Sequence, residues 1–119
     1  AKEQERRDRH LLGSYTTEDE IDAARDRSLS SAVDGIQTSE AKLAAANEQL
    51  NELKKQADAL SAQKKPVPAQ LQEEVRRSQK VIFGLEADLT QYRAQSDSIR
   101  AKYEADKKRF RELKSRGAQ

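Results

Sequence analysis

The 119-residue chain is about one domain long and carries 23 Lys and Arg against 21 Asp and Glu, a formal net charge of +2. Leu, Ile, Val and Phe together number only 21, and Trp, Cys and Met are absent, which makes a layered globular core hard to build and excludes disulfides and thiolate metal sites. No run approaches the roughly 20 apolar residues of a membrane span. A dense, balanced mixture of charges over regularly spaced apolar residues is the composition of long helices with solvated faces.

Ala1-Lys2-Glu3-Gln4-Glu5-Arg6 reads as a helix already under way rather than a charged leader with an apolar stretch. This start fits a fragment from which any export signal has been trimmed. A short helix is expected near 2–12, ended by the turn-rich cluster Gly13-Ser14-Tyr15-Thr16-Thr17. Leu11, Leu12 and Tyr15 around that turn suit either a staple onto the following helices, beside Ile21 and Val33, or a helix that continues upstream. Thr17-Glu18-Asp19-Glu20 then fits a capping box, with Thr17 accepting from the backbone of Glu20 and the Glu20 carboxylate reaching back. It opens a long helix near 18–64, which Lys65-Pro66-Val67-Pro68 closes. A second long helix follows near 68–115, since a proline is harmless in a first turn.

Each long segment would extend about 70 Å at 1.5 Å per residue, and equal arms on a three-residue connection make a hairpin. In the last helix the apolar seam runs Leu71, Val75, Ser78, Ile82, Leu85, Leu89, Tyr92, Ser96, Ile99, Tyr103, Asp106, Phe110, Leu113. Spacings of four and three alternate without a slip, the signature of a left-handed coiled coil. The preceding seam, Leu29, Ala32, Ile36, Ser39, Leu43, Ala46, Leu50, Leu53, Ala57, Leu60, has small residues at alternate layers. Folded about Pro66, small faces large: Ala57 with Val75, Leu53 with Ser78, Ala46 with Leu85, Ser39 with Tyr92 and Ala32 with Ile99. The acidic cluster Glu18, Asp19, Glu20, Asp22 and Asp26 then meets the basic end Lys107 to Arg116. Arg25 falls opposite Asp106, predicting an ion pair that sets register. The expected fold is all-α: a short N-terminal helix and turn over 1–16, a long antiparallel two-helix coiled-coil hairpin over 17–116, and a tail at 117–119.

The residues do not read as those of an enzyme. His10 is the only histidine, and no Ser-His-Asp set, Gly-rich phosphate loop or carboxylate pocket can be assembled, so catalytic, cofactor and metal residues are all read as none. A two-helix rod also offers no concavity in which to desolvate a site. The basic run from Arg100 to Arg116 is interleaved with Glu104, Asp106 and Glu112 and has no aromatic stacking platform, which argues against nucleic acid. Val81, Phe83 and Gly84 stand out instead. Val81 flanks the seam at Ile82 and Phe83 points away from it, while Gly84 costs about 1 kcal/mol relative to Ala in mid-helix. Together they suggest a self-association or partner contact where another helix approaches closely.

The stretch from Arg7 to Asp22, with Ala24-Arg25-Asp26-Arg27 and Arg109-Phe110-Arg111-Glu112-Leu113-Lys114, resembles an uncharacterised family of proteobacterial envelope proteins. Their small N-terminal domain of unknown function precedes a long coiled coil, and the resemblance implies export to the periplasm. The same stretch is similar to the hairpin tip of periplasmic membrane fusion proteins, the adaptors of tripartite efflux pumps. That resemblance implies that Arg7, Leu11 and Thr17 contact a channel protein. The Leu-to-Thr gap is one residue shorter than in that pattern, and a third helix stands where a lipoyl-type β segment would follow. The sequence thus points to a non-enzymatic structural or protein-interaction module, with itself or another envelope protein as partner. The alternative is a transport-adaptor-like hairpin.

Overall fold

The computed structural model describes residues 1–117, with three helices and no strand among them: α1 (Lys2–Ser14), α2 (Glu18–Ala62) and α3 (Ala69–Gly117). The last two residues of the expected 117–119 tail lie outside the described residues, and Gly117 ends α3. The long helices pack against each other as an antiparallel hairpin, as the paired seams require. Every seam position named above on both helices is buried or half-buried. No helix among the described residues is long and apolar enough to cross a membrane.

Local chemistry explains where the helices stop. Gly13 does not break α1, which runs on to Ser14; Tyr15 is the extended residue that ends it. A glycine inside a helix loses only about 1 kcal/mol, and here the turn begins two residues later than its position suggests. The capping box forms with a one-residue extension. The Glu20 N–H donates to Thr17 Oγ1 at 3.3 Å, and the Glu20 carboxylate accepts from the Thr16 N–H at 3.1 Å.

At the far end of α2 the chain leaves through two crossed backbone bonds. The Lys65 N–H donates to Leu60 O and the Lys64 N–H to Ser61 O, both at 2.9 Å, with Lys64 in the left-handed region at φ 60°. This is a Schellman end, with lysine where glycine is the usual occupant. Pro68 sits one residue before α3 rather than in its first turn. Its carbonyl accepts from the Gln72 N–H at 3.1 Å, and the Gln72 side chain donates back to Val67 O at 3.1 Å. The loop is therefore tied on both sides.

Contacts divide the chain into two compact units. The first comprises 1–33 and 94–119, in which α1 packs with the start of α2 and the end of α3. Leu11, Ile21 and Phe110, one from each helix, form its core, and Tyr15, Tyr103 and Leu113 pack around them. Leu11 and Tyr15 pack with Ile21 as the staple reading expects, while Val33 is not part of this cluster and Leu12 is largely exposed at 41 %. The hairpin register shows in pairs whose numbers fall on α3 as they rise on α2. Glu18 meets Arg111, Asp22 meets Lys107, and the Ser28 and Tyr103 hydroxyls share a hydrogen bond of 2.8 Å.

The second unit, 34–93, contains the remaining α2 and α3 seams and their connection. Here the Tyr92 ring lies directly on Gly35: a β-carbon at that position would stand 2.5 Å from two ring carbons. Ser39, the expected partner of Tyr92, is buried one turn further along. Close approach over a glycine lets the large aromatic fit beside a helix of small residues.

Candidate functional site

Two regions collect the residues singled out in the sequence. The first is the three-helix end. Arg109 on α3 forks onto Asp8 of α1, with Nε to Oδ1 at 2.9 Å and Nη2 to Oδ2 at 2.8 Å, and Gln4 Nε2 adds a third bond at 2.8 Å. This planar two-point geometry is the strongest ordinary form of ion pair. Arg109 holds the Asp8 carboxyl down at about 2, with Gln4 assisting and burial opposing. Neighbouring pairs continue the pattern: Lys107 to Asp22 at 3.1 Å and Arg111 to Glu18 at 2.6 Å. Acidic and basic ends do match, as the hairpin predicts.

Arg25 and Asp106, however, do not pair with each other. Arg25 bonds Asp26 at 3.0 Å and Asp22 at 3.3 Å, while Asp106 accepts from Lys102 at 3.4 Å. Carboxylates on the same helix lie closer to Arg25 than one across the seam. Lys107 takes the cross-hairpin contact with Asp22 instead.

An open groove of about 690 Å³ runs between α1 and α3 in this unit, with Arg7, His10, Leu11, Tyr15, Lys102 and Arg109 among its walls. The two-helix part also carries grooves, of about 510 and 220 Å³, so the expectation that paired helices offer no concavity does not hold; the α1–α3 groove is made by the docking of α1. Two of its cations are engaged locally, Arg109 with Asp8 and Lys102 with Asp106. Among the described residues no group of three or more His, Cys, Asp or Glu side chains is placed to hold a metal.

The three residues of the tip resemblance have separate fates. Leu11 is 8 % exposed in the three-helix core, and the Thr17 hydroxyl is taken up in the cap of α2. Arg7 is exposed and paired with Glu3 at 3.5 Å.

The second region is on α3 in the other unit. Phe83 is 77 % exposed and Val81 55 %, while Ile82 between them is buried in the seam. Val81 and Phe83 therefore emerge on opposite flanks of the helix with Gly84 between them on the outward side. A β-carbon at Gly84 would have nothing within 4 Å. The two mid-helix glycines thus differ: Tyr92 demands Gly35, and no atom of the folded chain demands Gly84. Below Val81 lies a shallow groove of about 220 Å³ with Ala46, Gln49 and Ser78 in its wall.

Sequence reasoning missed Asp8 and the fork it receives from Arg109. The available signal was the polar face of a short helix whose Leu11 and Tyr15 had already suggested docking. Comparison with protein-family models, curated protein sequences and solved structures gave no match.

The Asp8 fork makes a testable statement about acid. A carboxyl held near 2 when folded, against an ordinary 3.8, contributes stability that is present above the unfolded value and lost as pH falls toward the folded one. A carbon-detected NMR titration should show Asp8 changing with a midpoint near 2. In Arg109→Gln the midpoint should rise toward the ordinary carboxylate range. A wild-type midpoint already in that range would mean the fork does not persist in solution.

Proposed function

We propose that this chain is a non-enzymatic protein-interaction module of a bacterial cell envelope, a helical hairpin that offers the Phe83 strip of α3 to another protein surface. The observation that carries this is the 77 % exposure of Phe83. The folded chain is poor in large apolar residues and otherwise buries or half-buries those on its seams. Lone exposed apolar residues are common, but this one stands beside a helix-weakening glycine for which the chain itself has no use. A surface that admits a close neighbour accounts for both. The envelope assignment rests on the resemblance carried by the stretch from Arg7 to Asp22.

Site-specific photo-cross-linking in cells tests it. A benzophenone side chain at position 83 should give a discrete adduct, and the same group at exposed Lys54 should not. Finding no adduct at position 83, or the same adducts at both positions, would sink the interaction reading. Fractionation of the same cells tests the compartment: recovery of the protein outside the periplasmic and membrane fractions would overturn the envelope assignment.

A further inference from the structure

Lys80, Phe83, Gly84 and Ala87 are all exposed, and their spacings of three and four place them on one outward strip of α3. Charges flank this strip asymmetrically. Glu73, Glu74, Arg76, Arg77 and Lys80 precede Phe83, with Lys80 the nearest, and Glu86 and Asp88 follow it. Arg76 and Arg77 are occupied by Glu73, at 2.6 Å and 3.2 Å. Lys80, Glu86 and Asp88 take part in none of the ion pairs among the described residues. What remains unpaired around the aromatic is Lys80 nearest before it, with Glu74 almost two turns further back, and Glu86 and Asp88 after it.

From this pattern we infer that the occupant of the Phe83 strip is a second copy of the chain, its α3 packed antiparallel on the first about a two-fold axis near Phe83 and Gly84. The inference rests on the reading of this strip as an interaction surface and names the partner. A two-fold contact uses the same patch twice, so the patch must be self-complementary. In the antiparallel arrangement each Phe83 covers the Gly84 and Ala87 region of the other copy, large against small. Each Lys80 approaches the Glu86 and Asp88 end of its neighbour. In a parallel arrangement Lys80 meets Lys80 and Glu86 meets Glu86, which is repulsive. The missing β-carbon at Gly84 lets the helix axes approach closely enough for the aromatic to seat. With a single large aromatic per copy, the interface belongs to the small, reversible class.

Sedimentation equilibrium on the purified chain, over about 10 μM to 1 mM, should show the mass rising from 13.4 kDa toward twice that value. Phe83→Lys should stay monomeric throughout, with an unchanged helical circular dichroism spectrum. Lys80→Glu should weaken association about tenfold. Adding Glu86→Lys and Asp88→Lys to it should restore association, because all the cross-contact charges are then reversed together. Orientation follows from mixing separately prepared Arg76→Cys and Gln91→Cys chains under mild oxidation. The mixed disulfide supports the antiparallel pair, and self-disulfides of each variant overturn it. Failure of the triple reversal to restore association would overturn the charge register. A wild-type chain that remains monomeric at every concentration would overturn self-pairing. If position 83 still cross-links a different protein in cells, the interaction reading survives with another partner.

Discussion

Phe110→Ala should destabilise the three-helix unit by about 3–5 kcal/mol, the largest effect expected of any single truncation in this chain. Phe110 is 3 % exposed and meets Leu11 of α1 and Ile21 of α2, so one ring joins all three helices. The cluster is small, and little else can move in to fill the space left behind. A small chain has only a few kcal/mol of net stability. The most dependent element is α1: its 13 residues are too few to hold a helix without tertiary contacts. Urea unfolding followed by circular dichroism should show the loss, and amide exchange over residues 2–14 should become that of an unfolded peptide. A loss below about 1 kcal/mol with α1 still protected would mean that the core does not pack as described.

Gly35→Ala should be harmful, against the usual rule for helices. In mid-helix, replacing glycine by alanine ordinarily stabilises by about 1 kcal/mol. At Gly35 the added carbon would stand 2.5 Å from Cδ1 and Cε1 of Tyr92 and 2.7 Å from Cγ. These atoms include the attached end of the ring, so turning its far end aside does not relieve the overlap. The whole side chain or the helix must shift, for a net loss of about 1–3 kcal/mol. Gly84→Ala has no such neighbour and should gain the full helix preference, about 1 kcal/mol, in dilute solution where chains do not associate. Thermal unfolding of the two variants side by side is the check. Substituting Tyr92 by Leu should reduce the penalty of Gly35→Ala, since the two positions are then no longer in conflict. If both alanines stabilise equally, the Tyr92 ring does not sit on Gly35.

Much of this fold was legible because its determinants are local. The alternation of three and four along α3 names every buried position from Leu71 to Leu113, and the Thr17 cap and the Pro66 to Pro68 loop mark the ends of α2 and α3. Gly13 misled by two residues because one glycine does not end a helix unless the next turn has somewhere to go. The site was legible in part. Phe83 and Val81 are conspicuous wherever they lie on a charged helix, and the structure leaves both exposed. Leu11, by contrast, reads equally well as a contact residue or a core residue until α1 is placed. Packing against Ile21 and Phe110 decides that question.

By itself the sequence determined that the chain is helical, where the long helices begin and end to within two residues, and that they return antiparallel. Those features follow from period, capping and loop chemistry, each written within a few neighbouring residues. Only the tertiary structure decided that Asp8 receives Arg109, that Arg25 turns to Asp22 and Asp26 instead of Asp106, and that Gly35 is required while Gly84 is not. Charged side chains at a surface have several partners within reach, differing by less than about 1 kcal/mol. The contact over a glycine depends on an offset of about one helical turn. Sequence spacing resolves neither, because both are settled by where the second helix comes to rest against the first.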